Sequence, residues 1–239
     1  MTEIENLHGN VIVVGAYGSG KSEVVINLAL VRRAAGDEVR VADLDLVNPY
    51  FRTREARALF RDSRIEFVMP PDIYHHADLP ILSPRVAGLL RQESALTLLD
   101  VGGDDVGARV LSALAAAFMG QSPEVLLVVN CFRPLTETVE ACLGIKQAIE
   151  HAARLDVSGW VGNANLIHET TVDDIVHGYR FMRSLALRSR LPLRFITAPA
   201  PLVPRLPDGE IECAVLPIHR QLVPPWRKTD SFSPAIVTT

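Results

Sequence analysis

The chain has 239 residues, enough for one large α/β domain whose core needs no disulfide or metal to hold it together. With 48% hydrophobic and 22% charged residues it is too apolar for a disordered protein, and its longest apolar run, residues 113–119, is too short to span a membrane. A net charge of −4 argues against a general nucleic-acid-binding protein, and three cysteines without a CxxC pair indicate neither a disulfide framework nor a zinc site.

Strands and helices are predicted to alternate along most of the chain, because short β-branched runs are separated by apolar residues at helical spacing. In chain order, the first half is predicted to contain strand 10–14, helix 21–35, strand 38–43, helix 49–62, strand 64–69, helix 83–92 and strand 95–101. The second half is predicted to contain helix 108–119, strand 124–129, helix 136–153, strand 157–161, helix 171–189 and strand 193–197. This alternation predicts a three-layer α/β sandwich with a mainly parallel sheet covered by helices on both faces.

Two segments interrupt the alternation. Residues 70–84 contain four prolines and no periodicity, so we expect a long surface loop there. The end of the chain is also rich in proline, and we assign residues 1–205 to the main domain and residues 206–239 to a C-terminal appendage of the same domain. Within the appendage we expect a hairpin over residues 210–216 and a loose tail after Trp226.

One segment carries a specific chemical signature. Residues 15–22, with the sequence GAYGSGKS, match G-x-x-x-x-G-K-[ST] and lie directly between a predicted strand and a predicted helix. Glycines let such a backbone wrap around a phosphate, Lys21 can reach the β- and γ-phosphates, and the Ser22 hydroxyl can bind Mg²⁺. Roughly one in a thousand chains of this composition would match by chance. The predicted nucleotide-binding residues of this loop are Gly15, Gly18, Ser19, Gly20, Lys21 and Ser22.

Acidic residues at the ends of two predicted strands complete the candidate site. One apolar strand ends at Asp100, which is the Walker B arrangement, and we expect this strand to lie beside the strand that precedes the phosphate loop. Asp43 and Asp45 end another strand two residues apart, so both lie on one face of an extended chain. Because ligands bind at the carboxyl ends of strands in such sheets, these acids are candidates for holding a metal ion and positioning an attacking water.

The chain resembles the MinD/ParA (SIMIBI) class of P-loop ATPases, which also includes the nitrogenase iron protein and cobyrinate-type synthetase domains. The matching stretches follow the order of the family over most of the chain and comprise residues 13–22, 43–49, 98–103 and 158–163. The sequences DLDLVNPYFRTRE and DVGGDD are similar, more narrowly, to a poorly characterised group of bacterial MinD-like nucleotide-binding proteins.

The resemblance implies roles for the residues that bind metal and water. Asp100 would be the Walker B acid, Ser22 the direct Mg²⁺ ligand, and Asp43 a residue near the Mg²⁺ shell. Asp45 would orient the hydrolytic water. Lys21, assigned to the phosphates by the loop motif itself, would stabilise the charge that develops during hydrolysis. The implied cofactors are therefore ATP and Mg²⁺.

The resemblance also implies how the base is bound. Asn163 would hydrogen-bond the adenine, and the loop at residues 197–202, which includes Pro199, would pack on the base. Independently of the family, the chain contains no N-K-x-D guanine signature, which favours ATP over GTP.

The chain departs from the class at one position. The class usually carries a second lysine just after the first glycine of the loop, which crosses a dimer interface to the partner's phosphates, and here that position is Ala16. Arg52, Arg54 and Arg133 are the candidates to replace it. A nucleotide-dependent homodimer is therefore a hypothesis that the resemblance raises and this departure leaves open.

Three functions remain open from the sequence. The first is a Mg²⁺-dependent ATPase that acts as a nucleotide-dependent switch or assembly factor, with an unidentified protein partner. The second is a small-molecule kinase or ATP-dependent ligase on the same scaffold, and the third is a non-catalytic nucleotide-binding adaptor. In each case we expect a protein that binds ATP and ADP, and we expect it to be cytoplasmic because the chain begins with acidic residues and lacks a signal peptide pattern. We expect no nucleic-acid partner, because the net charge is −4, and no membrane partner, because the sequence shows neither a long apolar run nor an amphipathic C-terminal helix.

Overall fold

The computed structural model describes residues 2–45, 53–69, 84–91, 94–103, 123–224 and 226–232, with five isolated positions between residues 107 and 118 and without the side chains of residues 54, 84, 85 and 91. Residues 70–83 of the loop predicted at residues 70–84, and most of the predicted helix at residues 108–119, lie outside the described part. Arg52 and the side chain of Arg54 lie outside it as well.

Eight strands in the described part form a single sheet in which every pairing is parallel. The strands are β1 Gly9–Val14, β2 Val39–Asp43, β3 Glu66–Val68, β4 Leu96–Asp100, β5 Glu124–Val129, β6 Gly159–Gly162, β7 Leu193–Pro199 and β8 Val215–Ile218. Their order across the sheet is β3-β2-β4-β1-β5-β6-β7-β8. The strand before the phosphate loop therefore lies beside the Asp100 strand, as predicted, and the parallel α/β sandwich is confirmed.

Helices connect these strands, and several begin at capping residues that the sequence supplies. The helices are α1 Lys21–Ala34, α2 Arg57–Asp62, α3 Pro84–Arg91, α4 Val139–Ala153 and α5 Val172–Ser189, with short 3-10 helices at Thr53–Ala56 and Ala200–Arg205. Thr171 and Asp174 form a capping box at the start of α5, and Thr138 caps α4 by accepting from the Ala141 N–H. None of the described helices is both long and apolar enough to cross a membrane.

The core lies on both faces of the sheet. In β1, Val11 and Val13 point into one cluster that includes Leu28 of α1, whereas Ile12 points into the opposite cluster, which includes Cys142 of α4. Successive side chains of a strand face opposite sides, so a strand buried on both faces must be apolar at every position. This is why β1 and β5 appear in the sequence as continuous apolar runs and not as alternating ones.

The end of the chain differs from the prediction. The hairpin predicted at residues 210–216 is wrong: β8 lies parallel to β7, with Ile196 opposite Val215, and extends the main sheet. The connection between them contains Val203 and Ile211, which are buried against α5, so it has enough apolar surface to cross over and return in the same direction.

The segment after β8 is docked and not loose as far as Phe232. Asp230 accepts from the Arg220 N–H at 2.8 Å and donates its own N–H to the Arg220 carbonyl at 2.9 Å. Phe232 packs against the core beside His219. In addition, the half-buried carboxylate of Glu23, two residues after Lys21, accepts from the backbone N–H groups of residues 221 and 222. The end of the chain is thereby tied to the first turn of α1.

Candidate functional site

The phosphate loop connects β1 to α1 in a conformation that depends on glycine. Gly20 precedes α1 with φ 84° and ψ 16°, in the left-handed region, and no side chain caps the helix there. The first N–H groups of α1 therefore have no side-chain acceptor within the helix and can bind an anion. Gly103, just beyond β4, lies so close to the loop that a Cβ there would collide with the Gly15 carbonyl oxygen.

Lys21 and Asp45 form a buried ion pair beside this loop. Lys21 Nζ lies 2.9 Å from Asp45 Oδ2, and the two side chains are only 7% and 3% exposed. The Asp45 N–H also donates to Asp43 Oδ1 at 3.1 Å, which fixes the turn at the end of β2. The two residues predicted to act on the phosphates and on water are thus in direct contact.

Asp100 is fully buried at the end of β4, where it is the register partner of Asp43 on β2. The pKa of Asp100 is raised to about 6, chiefly because the carboxyl is buried and also because the Asp43 carboxylate lies nearby, whereas Lys21 and the hydroxyls of Ser22 and Thr53 oppose the shift. Asp100 Oδ1 has no hydrogen-bond partner among the described residues, and the same holds for Ser19 Oγ in the loop. Buried polar atoms without a protein partner usually bind a water molecule, an ion or a ligand.

The structure brings together the residues predicted to hold a metal ion. Within the described part, no group of three or more histidine, cysteine or acidic side chains is arranged to hold a metal by itself. Ser22, Asp43 and Asp100 nevertheless supply hard oxygen ligands, and the unpartnered Asp100 Oδ1 is available for a cation. This donor set fits Mg²⁺, which is usually held by few protein ligands and takes the others from phosphates and water.

Thr53 is a site residue that the sequence did not indicate. It is completely buried, and its Oγ1 donates to Asp100 Oδ2 at 2.5 Å across 47 positions of the chain. In the sequence, Thr53 is distinguished only by its hydroxyl and its position shortly after Asp45, within the segment predicted as an Arg-rich helix. Only the fold shows that this hydroxyl, at the start of the short helix Thr53–Ala56, reaches the acid at the end of β4.

We expect Thr53→Val to destabilise the protein by about 1–3 kcal/mol near neutral pH, because it removes the donor to a buried carboxylate. The pKa of Asp100 is raised on folding, so its ionisation reduces the free energy of unfolding as the pH rises from about 4 to above 6. Thr53→Val should raise that pKa further. The free energy of unfolding that the variant loses relative to the wild type should therefore be larger at about pH 7.5 than at about pH 5. Urea denaturation at both pH values measures the difference.

Thr53→Ser is the matched control, since it keeps the hydroxyl and removes only a methyl group. It should retain the wild-type dependence of stability on pH. A Thr53→Val protein whose deficit is the same at both pH values would show that the hydroxyl does not act on the charge of Asp100.

The residues predicted to contact the base occupy neighbouring strand ends. Asn163 follows β6, donates from Nδ2 to the Ser19 carbonyl at 2.6 Å and accepts from Thr197 Oγ1 at 2.5 Å. Its amide thereby joins the phosphate loop to β7, a bracing role that the sequence did not indicate. Pro199 ends β7 and is half-buried beside the 3-10 helix Ala200–Arg205. Contact of either residue with a base stays a prediction.

Of the three arginines considered as replacements for a lysine at Ala16, only Arg133 has a described side chain. It follows β5 and lies against Gly18 of its own phosphate loop. Ala16 itself is buried.

No protein-family model matches the chain, and no curated protein matches it in sequence. Among solved structures it is similar to FtsY from Mycoplasma mycoides, with 16% identity over 80% of this chain and 62% of that chain and a TM-score of 0.55. It is similar to chloroplast FtsY from Physcomitrella patens with 18% identity over 80% of this chain and 59% of that chain and a TM-score of 0.53. For the signal recognition particle 54 kDa protein from Aeropyrum pernix K1, in complex with GDP, the identity is 17% over 80% of this chain and 42% of that chain, and the TM-score is 0.53.

The chain spans about three fifths of the length of those FtsY structures. Similarity at this identity concerns the fold, and a specific relation to the MinD/ParA class stays a prediction. The parallel eight-stranded sheet, the glycine loop between β1 and α1, and the matching structures agree on one architecture. The chain has the three-layer α/β fold of P-loop NTPases.

Proposed function

We propose that the chain is a Mg²⁺-dependent nucleoside triphosphatase that acts as a nucleotide-dependent switch or assembly factor. The observation that supports this most strongly is the buried contact between Lys21 and Asp45 beside the phosphate loop, next to an Asp100 oxygen without a partner. A protein that only needed a stable core would gain little from these buried charges, since burying them costs free energy. Their concentration at one edge of the sheet is typical of a site for an anionic ligand and a cation.

In this proposal the backbone N–H groups of the loop bind the phosphates, and Lys21 turns from Asp45 to the terminal phosphate. Ser22, Asp100 and Asp43 hold Mg²⁺, which when bound neutralises the charge that develops on the phosphate oxygens. Once Lys21 has moved, the Asp45 carboxylate is released to accept a hydrogen bond from water and orient it for in-line attack.

We propose ATP as the physiological nucleotide, because the chain lacks a guanine signature and resembles an ATPase class. The solved structures of similar fold include two in complex with GDP, which makes GTP the competitor to test. Asn163 and Pro199, at the ends of β6 and β7, are proposed to lie next to the base.

Isothermal titration of the wild-type protein with ATP and GTP, with Mg²⁺ and then with EDTA, tests this function, and phosphate release measures turnover. We expect micromolar or tighter binding of ATP, weaker binding of GTP, and turnover that EDTA abolishes. Equal or tighter binding of GTP would refute the proposal of ATP as the nucleotide, but it would not refute the proposed nucleotide-binding site. Absence of binding by both nucleotides would refute the proposed function itself.

A further inference from the structure

The side chain of Arg133 lies next to Gly18 of the phosphate loop. A Cβ on Gly18 would lie 3.4 Å from Arg133 Nε, 3.6 Å from Cζ and 3.7 Å from Cδ, so the end of the Arg133 side chain is in near contact with the loop. Gly18 has φ 76° and leaves this space open. The arginine and the loop thus belong to one chain and one local structure.

The turn that carries Arg133 is held firmly. The Arg133 N–H donates to the Asn130 carbonyl at 3.1 Å, and its own carbonyl accepts from the Thr136 N–H at 2.8 Å. The buried Thr136 Oγ1 also donates to the Asn130 carbonyl, at 2.6 Å. Because these hydrogen bonds fix the backbone of the turn, binding of a ligand by the guanidinium would cost side-chain entropy but little backbone entropy.

The guanidinium is exposed and forms no ion pair with any described residue. Arginine is charged at every physiological pH, and the nearby N-terminus of α1 carries partial positive charge. A bound phosphate would be attracted both to this guanidinium and to the N-terminus of α1.

The order of the strands places Arg133 on one side of the phosphate loop and the candidate metal-binding acids on the other. Asp43 and Asp100 end β2 and β4, on one side of β1, whereas Arg133 follows β5, on the other. A phosphate chain in the loop would therefore have the candidate metal-binding acids on one side and this guanidinium on the other. A planar guanidinium can bind two phosphate oxygens at once.

We propose that Arg133 binds the phosphates of the nucleotide held by its own chain, and so supplies in cis a positive charge that Ala16 lacks. This inference rests on the proposed nucleotide binding and deepens it, since it names a further phosphate-binding residue. It also requires no second copy of the chain, in contrast to the lysine that the resemblance would place at Ala16.

The test measures binding of Mg²⁺–ATP and of inorganic triphosphate with Mg²⁺ by isothermal titration, the second probe being independent of the base. Arg133→Gln should weaken both about tenfold, Arg133→Lys should recover part of the loss, and the melting temperature should stay at the wild-type value. Arg61→Gln, which changes an exposed arginine on α2, is the matched control and should bind as the wild type does.

Wild-type affinity of Arg133→Gln for both probes would overturn the inference. Mixing Arg133→Gln with Lys21→Ala protein tests the cis assignment, because a trans contact would let the intact Arg133 of the second protein restore binding. Restored affinity in the mixture would overturn it, and we expect none. If Lys21→Ala also binds normally, the proposed function fails, which is a different result from failure of Arg133 alone.

Discussion

Lys21→Ala is expected to weaken binding of Mg²⁺–ATP at least about 100-fold, which corresponds to about 2.7 kcal/mol. The lysine is buried at the start of α1, and a charged hydrogen bond to phosphate in such a place contributes more than an exposed one. Titration calorimetry measures the loss directly. Lys228→Ala, which removes an exposed lysine far along the chain, should leave the affinity unchanged.

The same substitution should also destabilise the free protein, because the buried Asp45 carboxylate would lose the ion-pair partner 2.9 Å away. We expect a loss of about 3–5 kcal/mol in the free energy of unfolding. The double variant Lys21→Ala/Asp45→Asn removes that charge and should regain stability without regaining ATP affinity. Recovery of both, or normal ATP binding by the single variant, would contradict the role of Lys21 in phosphate binding.

Asp45→Ala is expected to reduce the rate of ATP hydrolysis by about 10²–10⁴-fold, the range typical for loss of a group that takes part in proton transfer or orients water. Binding of ATP should be equal to that of the wild type or tighter, because Lys21 no longer forms its ion pair with Asp45. Single-turnover phosphate release measures the first effect and titration the second. Hydrolysis at the wild-type rate would remove Asp45 from the reaction and favour a kinase or an adaptor.

The slow Asp45→Ala protein also tests self-association, because it should hold ATP long enough for light scattering. A dimer seen with Mg²⁺–ATP and not with Mg²⁺–ADP would support a switch through dimerisation despite Ala16. An unchanged mass in both states would exclude nucleotide-dependent self-association, and the switch would then have to act on a different protein. Glu55→Ala, an exposed change on the short helix Thr53–Ala56, controls for general effects of losing a carboxylate near the site.

The sequence determined the features that depend on neighbouring residues. The phosphate loop is one continuous segment, so its glycines, Lys21 and Ser22 could be recognised without knowledge of the fold. The alternation of strands and helices is also local, and it predicted the parallel sheet and even the bounds of β5 at Glu124–Val129. Because strand ends of a parallel sheet meet at one edge, Asp43 and Asp100 could be placed near the loop from their positions alone.

Only the tertiary structure decided the contacts between distant segments. The parallel pairing of β8 depends on the buried crossover before it. The hydroxyl of Thr53 donates to Asp100 at the end of β4, and the Asn163 side chain donates to the carbonyl of Ser19. Arg133 likewise gains its place beside Gly18 because β5 is the neighbour of β1. Local patterns fix which residues form a strand or a loop, whereas strand order and packing fix which side chains meet, and no spacing in the chain records that order.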